Sequence, residues 1–221
     1  MIRAMIKTIL EQYNIINYFR IKKMRYDLKN VTPTLLCPNC MGGILFHDLG
    51  IKFQSPTINT MILQKDFVKF VTNLDYYCNQ KLEFFKHNDY SFPCAKLADI
   101  TIHFTHYMSD EEAEKKWSER CRRINKENLF IVCSERDGLT KDEILSLKNV
   151  KAKGILVFTY NEYPDIPYTL YVKKYSDKGE IGNILKKNHI TGKHEYECLF
   201  DFVKWFNESN CDNLDISGYI K

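Results

Sequence analysis

No window of this 221-residue chain approaches the roughly 18 uninterrupted apolar residues that a membrane-spanning helix needs. That excludes an integral membrane protein built from such helices. Phosphate-cradling loops are missing as well: Gly42-Gly43 fits neither G-x-G-x-x-G nor G-x-x-x-x-G-K-[ST]. No D-x-D triplet occurs, which removes a common diphosphate-binding device of metal-dependent sugar transferases, and no G-x-S-x-G is present to form a hydrolase nucleophile elbow. Internal repeats and low-complexity segments are absent. The chain also lacks a strong overall charge. Its net +4 divides into +5 over residues 1–30 and −1 over the remainder, so a basic arm precedes a neutral body. A neutral body argues against a dedicated nucleic-acid binder.

What is present is material for one large folded domain. Hydrophobic residues make up 44% and charged residues 27% of the chain, and 14 Tyr, 14 Phe and 2 Trp can fill a sizeable core. The eight cysteines are spread too thinly for a disulfide scaffold. The amino-terminal MIRAMIKTILEQYNIINYF carries charges inside its apolar stretch and no small-residue cleavage site, so it does not read as a signal peptide. Reduced thiols in the cytoplasm are the expectation.

Ile2, Ile6, Ile9, Tyr13 and Ile16 recur at steps of four and three, the spacing of an amphipathic helix whose second half is basic. Such a helix can lie on an anionic membrane surface, or it can pack on the body or a second subunit. Residues 1–32 are therefore read as a helical arm and residues 33–221 as a single α/β domain. Within that domain, strands are expected at Thr34–Cys37, Thr57–Leu63, Asp99–Phe104, Asn128–Cys133, Gly154–Thr159 and Tyr168–Lys173. Leu129–Val132 and Gly154–Phe158 are continuous apolar runs of the kind buried on both faces of a sheet. Helices are expected at Lys65–Cys78, Ser109–Asn125, Thr140–Leu147 and Glu195–Asn207, the second and third opened by Ser109/Glu112 and Thr140/Glu143 capping pairs. The fold class is a three-layer α/β/α sandwich with a mostly parallel or mixed sheet, plus the amino-terminal amphipathic helix.

Cys37-Pro38-Asn39-Cys40 has redox or zinc spacing, but no second C-x-x-C or H-x-x-x-H completes a zinc site. A thioredoxin-like motif wants a helix to start there, whereas Gly42-Gly43 suggests a tight turn at a strand end. No metal and no cofactor is expected. If the strands are parallel, their carboxyl ends gather Asn39 and Cys40, then His106 and Tyr107, then Ser134, Arg136 and Asp137, at the edge where open α/β sheets bind ligands. Along Ser109–Asn125, Trp117 and Arg120 share a stripe with Arg123 beside it; Trp117 suits the core. Arg120, if buried, needs a carboxylate, carbonyl or phosphate partner.

Several motifs then resemble one known family in order along the chain. NCMGGILFHDLG at Asn39–Gly50, SPTIN at Ser55–Asn59, NLDYY at Asn73–Tyr77 and HYMSDEEA with WSERCRRIN over His106–Asn125 are followed by SERDG at Ser134–Gly138, VFT at Val157–Thr159 and FDFVKWFN at Phe200–Asn207. Together they are similar to the bacterial domain-of-unknown-function family 1919 over about residues 33–210. Members read Ser-Asn-Asn before their Cys where this chain has Cys37-Pro38-Asn39, and an aromatic where it has Met41. The resemblance implies a single α/β protein associated with exopolysaccharide biosynthesis and transfers no catalytic residues. On that basis the chain is expected to act in capsule or exopolysaccharide synthesis, in the cytoplasm or peripheral to the inner membrane. Its expected reaction is transfer of a sugar or substituent from an activated, phosphate-bearing donor. His106 or Asp137 would serve as general base and Arg120, Arg123 or Arg136 would neutralise donor phosphates. Asn39, Cys40, Gly42, Gly43, Tyr107 and Trp117 complete the expected substrate-binding set. The alternative is a non-catalytic glycan-binding or scaffold protein that docks to membrane-bound synthesis proteins through residues 1–30.

Overall fold

The computed structural model describes residues 2–188 and 191–221, with side chains from Ile15 onward in the first helix. The side chains of Ile2, Ile6, Ile9 and Tyr13, which carry the amphipathic spacing, lie outside the described residues. The first helix, α1 (Ile2–Asp27), leads into β1 (Thr34–Leu36), which pairs in parallel with β5 (Leu129–Ser134). Next come β6 (Gly154–Thr159) and β7 (Thr169–Tyr171), also parallel, giving a four-stranded sheet in the order β1-β5-β6-β7. Every residue of β5 and β6 is buried, as continuous apolar runs require of strands covered on both faces.

Helices cover the sheet on both sides, so the expected α/β layering is present. On one side α2 (Met41–Leu49) and α8 (Phe202–Glu208) meet through Phe46 and Phe206, over Phe130 of β5. Arg20 of α1 docks onto this layer by pairing with Asp48 at 2.8 Å and with Glu197 in α7 (Glu195–Leu199). Elsewhere α3 (Gln64–Thr72) packs against α6 (Lys141–Ser146) and β5. Among the described residues no helix is long and apolar enough to cross a membrane.

Four expectations need correction. Gly42 and Gly43 do not form a turn; they occupy the first turn of α2. The expected strand at Thr57–Leu63 is instead a turn-rich strap, because Thr60 Oγ1 donates to Thr57 O and Ser55 Oγ accepts from Thr57 N, satisfying the backbone locally. Its Met61 makes only an antiparallel bridge to His103. The strand expected at Asp99–Phe104 exists as β4 (Ile100–His103), but in a separate antiparallel sheet with β2 (Glu83–Phe85) and β3 (Cys94–Leu97). The long helices break where the backbone is called elsewhere: Asn73 separates α3 from α4 (Leu74–Cys78). Extended Phe200, which bridges Ile220, separates α7 from α8.

One contact sets the distance between α8 and the sheet. A Cβ placed on Gly154 would lie 2.6 Å from Trp205 Cε2, and the indole is held in place by Phe130 and Phe200, whose ring centroids are 4.8 and 5.4 Å away. Gly154→Ala should therefore cost about 1–3 kcal/mol through overpacking. Chemical unfolding of the reduced protein would show this as a lower midpoint at unchanged slope; an unchanged midpoint would mean that Trp205 yields freely.

Candidate functional site

The strap at residues 55–62 ties the first strand to the antiparallel sheet. Cys37, just past β1, donates its N–H to Thr57 Oγ1 at 3.1 Å, and Ile62 N donates to Pro38 O at 2.9 Å. Asn39 Oδ1 accepts from Met41 N at 3.0 Å, which starts α2 and leaves Cys40 immediately ahead of its first residue. Asn59 takes a left-handed φ of 62°, and its carbonyl accepts from Thr105 Oγ1 at 3.2 Å. A Cβ at position 43 would stand 2.8 Å from Asn59 Oδ1, so a larger residue there would displace the Asn59 side chain.

These contacts bring Cys40 and His106 together. The Cys40 sulfur lies 3.3 Å from His106 Nε2 and 4.0 Å from Thr105 Oγ1. Cys40 is half-buried and His106 is exposed, so the pair opens to solvent. Burial pushes the Cys40 thiol above its ordinary value, and the Thr105 contact pulls the other way. The positive end of the nine-residue α2 favours a thiolate at the same place. A thiol beside an imidazole can act as a covalent nucleophile, and the imidazole can take a proton from the thiol or from an acceptor hydroxyl.

A buried layer supports this pair. Tyr107 Oη donates to Ile58 O at 2.9 Å. Arg120 Nη1 donates to the same carbonyl at 3.2 Å and to Tyr107 Oη at 2.5 Å. The guanidinium also lies 5.6 Å from the centre of the Phe53 ring. Among the described residues Arg120 has no carboxylate partner, and the acceptor it finds is a backbone carbonyl. Burial raises the Tyr107 phenol above its usual value, with Arg120 acting against that shift.

The expected site residues therefore separate by place. Asn39, Cys40, Gly42, Gly43 and His106 come together, with Tyr107 and Arg120 directly beneath. Trp117 of α5 (Asp110–Cys121) is a core residue packed on Phe70 and Phe104. Arg123 pairs with Glu119 along the helix at 3.2 Å. Asp137 is a turn residue with φ of 54°, and its Oδ1 lies 3.5 Å from Arg136 Nε. Neither Arg136 nor Asp137 forms a hydrogen bond or ion pair with Cys40 or His106. Cys37 is fully buried, its thiol pushed up to about 12 by desolvation although the Gly42 and Asn39 amides pull it down, so it is no companion nucleophile.

Sequence reasoning passed over Asn59, Thr105 and Glu135. The buried Glu135 carboxylate accepts from Tyr160 N, Asn161 N, Asn161 Nδ2 and Tyr163 Oη at 2.5–3.1 Å and so fastens the ends of β5 and β6. Its place inside SERDG was the available signal. Asn59 likewise ends SPTIN, but its left-handed backbone is not legible without the strap.

Two outcomes follow for the buried layer. Tyr107→Phe and Arg120→Met should each cost about 1–3 kcal/mol by leaving buried polar groups unpaired. A double-mutant cycle should show coupling of about 1 kcal/mol or more, while additive losses would mean that the two groups act separately. For Cys37, a thiol raised from 9.0 to about 12 in the fold contributes stability that is fully present below pH 9 and lost as pH rises toward 12. Urea midpoints followed upward through that window should fall, and Cys37→Ala should flatten the fall.

Comparison with known proteins agrees with this reading of the motifs. The chain is 35% identical over 192 residues to an uncharacterized protein of Haemophilus influenzae, covering 87% of this chain and 92% of that protein. A family model described as domain of unknown function DUF1919 matches residues 11–207, a span that contains Cys40, the 55–62 strap, His106 and Glu135. The chain belongs to the DUF1919 family.

Proposed function

We propose that the protein is a thiol-dependent transferase of bacterial surface-polysaccharide synthesis, moving an acyl-type substituent from an activated donor to a glycan precursor. The observation that carries the reaction is the 3.3 Å approach of His106 Nε2 to the Cys40 sulfur at the start of α2. His106 takes the thiol proton, the thiolate attacks the donor's carbonyl carbon, and the imidazolium returns that proton to the departing group, leaving a thioester on Cys40 and a neutral His106. An acceptor hydroxyl, deprotonated by His106, then attacks the thioester and frees the thiolate. The positive end of the α2 dipole suits a phosphate-bearing leaving group.

For the acceptor, support comes from a neighbouring cleft of about 710 Å³. Its wall includes Phe85, His87, Tyr90 and Phe92, its rim includes Asn88, Ser109 and Asp110, and it reaches Met108, two residues past His106. Aromatic surface with a few polar groups suits a ligand that has both apolar C–H faces and hydroxyls. The family resemblance supports the polysaccharide assignment.

The test is alkylation with iodoacetamide, read by peptide mapping. His106→Ala should slow labelling of Cys40 about tenfold or more at neutral pH while the exposed Cys198 and Cys211 react as before. Melting should be unaffected, because His106 is exposed. Equal Cys40 rates in the two proteins would remove the nucleophile reading.

A further inference from the structure

The described part of α1 has two unlike sides. One side packs on the body through Arg20 and Met24, Arg20 being held by Asp48, Glu197 and Met24. Among the described residues the other side is open to solvent, with Tyr26 at the edge of a groove it shares with α8. Ile15, Phe19, Lys22 and Tyr26 follow one another at steps of four, three and four, so they form a single stripe along the helix. Phe19 is 61% exposed and Tyr26 88%, with Tyr18 beside them at 60%. An apolar stripe of this size left in water marks an interaction surface.

On the helix itself the fully exposed charge beside the stripe is positive. Lys22, Lys23 and Lys29 are exposed, whereas the guanidinium of Arg25 is held by the carbonyls of His47 and Asp48. The nearby acid of the described helix, Asp27, is half-buried and bound to Lys23 at 2.7 Å. Two copies pairing through this face would set these lysines against their own kind, and the exposed Glu208 of the groove beside Tyr26 is already paired with Lys204. An anionic lipid surface offers the opposite charge and an apolar layer for the aromatic side chains, which sit well at a membrane interface. We propose that the outward face of α1 docks on anionic bilayers, with Ile15, Phe19 and Tyr26 inserted and the surrounding cations at the headgroups. The helix lies in the interface and does not cross the bilayer. This inference is independent of the chemistry at Cys40.

Co-sedimentation of the whole chain with vesicles tests it. Phosphatidylcholine vesicles containing phosphatidylglycerol should bring the protein down, and phosphatidylcholine alone should not. Raising salt from about 0.1 M to about 1 M, which shortens the screening length from about 10 Å to about 3 Å, should release it. Lys22→Gln should lower the partition coefficient about fivefold, the effect of one cation near an anionic surface. Phe19→Ser should lower it about tenfold or more through lost apolar burial. Both variants should melt like the parent, since both positions are exposed. Absence of binding to the anionic vesicles, equal binding to both vesicle types, or undiminished binding of Phe19→Ser would overturn the proposal. A concentration-dependent dimer in sedimentation velocity that Phe19→Ser dissolves would also overturn it, by assigning the face to a second copy.

Discussion

A single backbone carbonyl, that of Ile58, organises the region around Cys40. Arg120 is nine-tenths buried, and a guanidinium cannot shed its proton to escape the cost of burial. With no carboxylate partner among the described residues, its donors turn to Ile58 O and to the Tyr107 hydroxyl, which donates to the same oxygen. The Phe53 and Tyr107 rings spread the remaining charge. Fixing that carbonyl inward obliges the next residue to change direction, and Asn59 does so in the left-handed region, where asparagine is among the better tolerated residues. From there Asn59 meets Gly43 on one side and Thr105 on the other, so the start of α2 and the end of β4 are brought to one place.

The antiparallel sheet matters mainly as the carrier of His106. Its β4 is anchored by Met61 on the strap and by Asp66 of α3, whose carboxylate accepts from Thr101 N at 3.0 Å. Phe104, one residue past the strand, is fully buried against Trp117 and Tyr107. His106 therefore emerges from a chain segment fixed on both sides, while its ring remains open to solvent. The imidazole meets the sulfur because two sheets share a strap, and no common strand edge is involved.

Much of the frame was legible in the residues because burial writes itself plainly. The uninterrupted runs Leu129–Val132 and Gly154–Phe158 announced doubly covered strands, and Ser109 and Thr140 marked helix starts that the structure places within a residue. The misreadings have physical causes. Gly42 and Gly43 are poor helix formers, yet they sit in a helix where a Cβ on Gly42 would crowd Cys37 Cβ at 3.3 Å and one on Gly43 would displace the Asn59 side chain. The β3–β4 hairpin turns at Ala98-Asp99, with Ala98 at φ 53°, so it lacks the Asn-Gly signature that betrays such turns. The neighbourhood of Cys40 and His106 was anticipated, but through an assumed parallel edge. That edge exists for β1 and β5, whose parallel carboxyl ends lead to Cys40 and to Arg136 and Asp137, whereas His106 comes from the antiparallel sheet.

The placement of α1 has a mechanical corollary. Arg20 grips Asp48 near one end of α2, and Arg25 donates to the carbonyls of His47 and Asp48 at the same end. The other end of α2 carries the sulfur of Cys40. Nine residues at 1.5 Å each make this helix a stiff rod of about 13 Å. The attitude of α1 and the position of the thiol are thus not independent quantities. A tilt of the arm pushes on one end of the rod, and the sulfur stands at the other.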